Sequence, residues 1–166
     1  PGADAGLTAD AIKIIQKACR VSVLTKAGMR AVWPVYELRP GLDRYGATLT
    51  FDNAADTEKW EPRADTPGGR IGALSIAYRR GVSTWASMEP VIDPEQSLAL
   101  IRATAGIVCH YKIGRWNHDA RANAIDWPDF ARRAVDLCES LGLRYTLKED
   151  LAKELRPGHA PKEMPR

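Results

Sequence analysis

The sequence predicts an α/β protein in which parallel strands alternate with helices and curve into a partial (βα) TIM-type barrel. Three observations predict it. Five short strand-like segments are separated by helical stretches with recognisable starts and stops. Apolar and polar residues alternate along each strand, whereas parallel strands buried on both faces read as apolar throughout. Charged residues gather at the C-terminal strand ends, where barrels of this kind place their chemistry.

The elements follow in order. Leu7–Ala18 reads as an amphipathic helix behind a start at Thr8 or Asp10. Val21–Thr25 is the first strand and Ala47–Phe51 the second. Thr66 then caps a helix with Pro67 at its first position, and Gly81 closes it. Val82–Met88 is the third strand. Asp93-Pro94-Glu95-Gln96 opens the next helix with a capping-box glutamine. Ile107–Ile113 is the fourth strand; Asp126, with Asp129 three residues on, opens a helix over Trp127–Leu141 that Gly142 ends. Leu143–Leu147 is the fifth strand. The strand phases agree: Val23, Leu49, Ala86, Tyr111 and Leu147 lie on a face for the helices, and Ser22, Thr48, Trp85, His110 and Thr146 on a polar face. Lys26, Asp52, Glu89, Lys112 and Lys148 fall at or near the C-terminal ends. Edge strands or a solvated sheet face are the alternative source of this alternation. Residues 156–166, with three prolines, read as a flexible tail after a single unit over 1–155.

Composition narrows the function. Of 166 residues, 45% are hydrophobic and 27% charged, ordinary values for a globular chain with one core. The net charge of +3 is spread without a basic tract, which gives no footing for nucleic acid. No apolar run approaches the roughly 20 residues of a membrane span. Pro1-Gly2-Ala3-Asp4 does not resemble a secretory signal, and three widely spaced cysteines, Cys19, Cys109 and Cys138, suit a reducing cytoplasm. They lack metal-ligand spacing and read as buried small hydrophobes.

Several motifs occur together in a telling order: Leu24-Thr25-Lys26, Leu49-Thr50-Phe51, Trp60-Glu61-Pro62-Arg63-Ala64 with Pro67 and Arg70-Ile71, Ser87-Met88-Glu89-Pro90-Val91-Ile92-Asp93-Pro94, Tyr111-Lys112-Ile113-Gly114 with Asn117, and Asp126-Trp127. From about Leu7 to about Leu155 this order resembles the spore photoproduct lyase-like, DNA-repair-photolyase-like branch of the radical S-adenosylmethionine superfamily. The resemblance implies a partial (βα) barrel that binds a [4Fe–4S] cluster through CxxxCxxC after its first strand and S-adenosylmethionine across the strand ends. No CxxxCxxC occurs in this chain. The expectation is therefore the C-terminal part of such a barrel, first strands missing, unable to generate a radical by itself.

Carried over residue by residue, the resemblance implies that Lys26 pairs with the cofactor's carboxylate and that Thr50 offers a hydroxyl to its carboxylate or ribose. Glu89, a carboxylate at the end of a lumen-facing strand, is a candidate for contact with cofactor or substrate, and Ser87, Lys112 and Asn117 are substrate-side candidates. Plainer roles stand beside these: a solvated lysine for Lys26, a strand filler for Thr50, an ion pair with Lys112 or Lys148 for Glu89. Glu61 and Arg70 read as a pair bracing a loop. His110 reads as a hydrogen-bonded interior residue, and His118 and His159 as exposed. Trp85 reads as packing or as the floor of the cavity, and Trp33, Trp60, Trp116 and Trp127 as packing.

Two other function classes remain open. One is a metal- or acid/base-dependent barrel hydrolase or lyase using Glu89, His110 and Lys112, although no HxH or HExxH spacing supports it. The other is a non-catalytic binding module built on the same scaffold. Nucleic acid enters as a partner by resemblance only. A barrel lacking its first strands exposes an edge at Val21–Thr25, which predicts self-association or a partner subunit.

Overall fold

The computed structural model describes residues 3–155; the predicted flexible tail lies outside them. Five strands, β1 (Ser22–Thr25), β2 (Arg44–Thr48), β3 (Ser83–Met88), β4 (Tyr111–Ile113) and β5 (Tyr145–Leu147), form one sheet. All four pairings are parallel and the spatial order is β1-β2-β3-β4-β5. Each connection steps one strand in the same direction. A doubly wound sheet reverses direction at a switch point, and this one does not. With right-handed crossovers, unidirectional winding puts successive helices on one face.

The helices are α1 (Ala3–Gln16), α2 (Pro34–Glu37), α3 (Ala54–Trp60), α4 (Pro67–Arg79), α5 (Pro94–Thr104), α6 (Trp127–Ser140) and α7 (Glu149–Ala152), with 3-10 turns at Gly28–Ala31 and Ala120–Ala124. Their starts follow the predicted caps. The Thr66 hydroxyl accepts from Gly69 N, Asp93 from Glu95 N and Gln96 N, and Asp126 from Asp129 N. Gly81 and Gly142 take the positive φ expected just beyond a helix end. Gln96 does not complete a capping box. Its amide spans to the start of α3 instead, donating to Asp56 Oδ2 at 2.8 Å and accepting from Asp52 N at 3.0 Å.

The core lies between helices and sheet. Ala47, Ala86, Met88, Tyr111 and Ile113 from the strands meet Leu74, Ala77, Ile101, Phe130 and Ala134 from the helices, all buried. On the opposite face Arg44, Lys112 and Thr146 stay exposed. The predicted phase therefore holds, but β2 begins three residues earlier than Ala47. Gly46 is required within the strand: a side chain at that position would occupy the space of the Trp85 indole. The regular part of β4 is shorter than predicted, although Cys109 N still donates to Thr84 O and Ala86 N to His110 O.

Helix α1 departs from expectation. Ile12 is buried, yet Leu7, Ile14 and Ile15 of its apolar stripe remain exposed. Beside it β1 pairs with β2 alone among the described residues and leaves Leu24 exposed.

Candidate functional site

Two of the predicted cofactor-side residues converge at the C-terminal ends of β1 and β2. Lys26 directly follows β1. Thr50 lies two residues past β2, in the loop and not on the strand, and is buried. Both reach Glu61, the residue that ends α3. Lys26 Nζ stands 2.7 Å from Glu61 Oε1, and Thr50 Oγ1 donates to the same oxygen at 3.1 Å. Arg70, in the second turn of α4, holds the other oxygen at 2.5 Å. Its guanidinium is buried and also donates to Asp65 O and Thr48 O, both at 2.9 Å, so it ties the carboxylate to the end of β2.

The loop that carries this arrangement depends on close backbone approach. Asp65 N donates to Lys26 O at 2.8 Å, and a side chain at Gly69 would collide with the Asp65 carboxylate. Burial pushes the Glu61 carboxyl up, but the hydrogen bonds from Lys26 and then Arg70 outweigh it, and the net shift is downward. Glu61 is thus a carboxylate held between a buried cation and a half-exposed one. The Arg70 side chain is 1% exposed and the Lys26 side chain 44%. Lys26 and Glu61 border an open recess of about 380 Å³ with Trp60 and Pro62 on its wall. Trp60 is itself fixed edge-on against Trp116, ring centroids 5.7 Å apart, with the Arg121 guanidinium 4.6 Å above it.

The other predicted residues fall into separate places. Glu89 forms an ion pair with Lys148, one of the two plainer partners foreseen for it. Ser87 is buried and sits directly beside Lys112 in the β3–β4 register. Lys112 reaches over the Trp85 ring at 4.5 Å, a cation–π contact that gives Trp85 a role beyond packing. Asn117 Nδ2 lies 3.5 Å from Asp150 Oδ2. His110 Nε2 is bonded to Thr146 Oγ1 at 2.9 Å.

Sequence reading assigned Glu61 a bracing role with Arg70, and that pair is present. It missed that Glu61 also joins Lys26 to Thr50. The cysteines do not assemble: Cys138 is buried as predicted, Cys109 is half-buried and Cys19 is exposed, contrary to expectation, because it lies in the turn after α1. Among the described residues no three His, Cys, Asp or Glu side chains are grouped to hold a metal ion, and no helix is long and apolar enough to cross a membrane.

No family model, no curated protein and no solved structure matches this chain.

Proposed function

We propose that this chain is the S-adenosylmethionine-holding and substrate-side portion of a radical S-adenosylmethionine-type partial barrel. One observation carries the reading: a Lys26–Glu61 pair at the strand ends that opens onto a recess. The methionine end of the cofactor is a zwitterion. Its carboxylate complements Lys26, and its ammonium complements Glu61 once Lys26 has turned away. The Thr50 hydroxyl is in reach of the same charges, and Arg70 keeps the carboxylate from following its partner. The recess volume is within the roughly 300–1,000 Å³ usual for small-molecule sites. Unidirectional strand order and a polar face opposite the helices support the barrel-type architecture.

Bound S-adenosylmethionine would supply a sulfonium open to reductive cleavage. The residues of this chain bind and orient it: Lys26 by charge, Glu61 by charge and direction, Thr50 by a hydroxyl, Trp60 by a wall. The [4Fe–4S] cluster does not fit these residues, since the three cysteines stand in different environments with no shared centre. That separation favours a second reading, a non-catalytic binding module on the same scaffold. Anaerobic assay of S-adenosylmethionine cleavage by any longer native form of the protein divides the two: cleavage favours the enzyme, and failure to cleave favours the module.

Calorimetric titration with S-adenosylmethionine tests the binding itself. Lys26→Ala removes a charge-assisted hydrogen bond and should weaken binding by about tenfold or more. Absence of saturable binding to the folded chain, or an unchanged Kd in the variant, would overturn the assignment.

A further inference from the structure

A second cluster lies on the polar face of the sheet, toward the N-terminal strand ends. Arg44 opens β2, Arg144 immediately precedes β5, and Lys112 is the middle residue of β4. All three line one recess of about 160 Å³, together with Ser22, Ser83 and His110. Among the described residues no carboxylate lines it, and every ion pair of the structure involves other cations. Three cations thus share one concavity without a counter-charge. Such an arrangement is self-repulsive unless an anion joins it.

We infer that this recess is a binding site for a dianionic phosphate group, held by Arg44, Lys112 and Arg144 with Ser22 and Ser83 as hydroxyl donors. Phosphate fits better than a carboxylate. Two guanidinium forks and an ammonium supply more charge than a single carboxylate neutralises, and forks match the spread oxygens of a phosphate. The recess is smaller than the roughly 300 Å³ at which sites for larger organic ligands begin, so the ligand is inorganic phosphate or the phosphate end of a small monoester. Lys112 is oriented by the Trp85 ring, which lies across the sheet over Gly46. His110 reports on the same field. Burial first, then Arg144, Lys112 and Arg44, hold its pKa below the ordinary value.

The inference does not depend on the Lys26–Glu61 reading, and its test separates the two. The whole chain is titrated with inorganic phosphate at about 0.15 M salt, where the Debye length is about 8 Å and diffuse attraction is screened. Saturable one-to-one binding is expected. Arg44→Gln and Arg144→Gln, at exposed side chains without partners, should each weaken it about tenfold. Lys17→Gln and Lys26→Ala should leave it unchanged. The His110 imidazole, followed by NMR, should titrate at higher pH when phosphate is bound. Glycerol 3-phosphate divides the sources: tighter binding than inorganic phosphate makes a monoester the ligand, and failure to bind makes it the free ion. Binding that does not saturate, acetate binding as tight as phosphate, or equal weakening by Lys17→Gln would overturn the proposal.

Discussion

Two carboxylates tie β1 to β2, one at each end of the strands, and they are built differently. Asp43, at the strand starts, is fully buried. It accepts from Val21 N at 2.8 Å, Arg39 N at 2.8 Å, Gln16 Nε2 at 2.9 Å and the Arg39 guanidinium at 2.8 and 2.9 Å. Glu61, at the strand ends, accepts only from side chains: Arg70, Lys26 and Thr50. Backbone N–H groups cannot leave without unfolding the chain locally, whereas a lysine on a four-carbon stem can turn into solvent. The same functional group is therefore a lock at one end and an exchangeable contact at the other. What separates them is the kind of donor and the depth of burial, not the charge.

Removing the lock should have the largest effect. Asp43→Ala strands two backbone N–H groups, while Arg39 keeps its bonds to Gln16 O and Cys19 O and Gln16 its bond to Glu37 O. Buried groups that lose their partner cost about 1–3 kcal/mol each, so a loss of about 3 kcal/mol in folding stability is expected. Urea unfolding followed by circular dichroism measures it. The matching change at the other end, Lys26→Ala, should lower stability by less than about 1 kcal/mol, because the ammonium is half in solvent and Arg70 still satisfies Glu61. Equal losses at the two ends would abolish the distinction drawn between them.

Acidification should sharpen it. Arg39, opposed by burial and helped by the two backbone donors, holds the Asp43 carboxyl well below the usual carboxylate range. Glu61 is lowered as well. A carboxyl with a depressed folded-state pKa contributes stability that is present above its unfolded value and lost as pH falls through the folded value. That loss begins near the ordinary values of 4.5 for Glu61 and 3.8 for Asp43. His110 acts earlier with the same sign. Its folded pKa is also depressed, so the unfolded chain binds the extra proton first and stability falls as pH drops below 6.5. His110→Gln should flatten the unfolding free energy just below that pH and leave the steeper acid limb intact.

The unequal legibility of the two ends has a physical cause. Strand phase and helix caps were readable because each is a local rule: alternation fixes a face, and Thr66, Asp93 and Asp126 each cap a helix one residue on. Asp43 was invisible because Gln16 and Val21 belong to two other segments, and Arg39, although only four residues away, shares a loop with it and not a helix whose period would pair them. The start of β2 was misplaced for a related reason, since the place of Gly46 in the strand rests on Trp85 of the neighbouring strand lying across it. At the candidate site, Lys26 and Thr50 were legible as strand-end residues, but their meeting point was not. The cations of the polar face were the least legible. Alternation says that Arg144 faces away from the helices; it does not say that it shares a recess with Arg44 three strands away.

The smallest effect is expected at the pair that most resembles a site by position alone. Glu89 and Lys148 cap β3 and β5 at the same end of the sheet as Glu61, and Glu89 was a candidate for the cofactor. Yet Lys148 is 45% exposed and Glu89 28%, with no buried guanidinium to hold the carboxylate when the lysine leaves. Such a pair contributes a few tenths of a kcal/mol at most, and salt screens it. Lys148→Gln should therefore shift the unfolding midpoint by less than the Lys26 change and leave S-adenosylmethionine affinity within about twofold. A tenfold loss of affinity would bring Glu89 and Lys148 into the binding site, and the division between an exchangeable contact at Glu61 and a solvated pair at Glu89 would have to be redrawn.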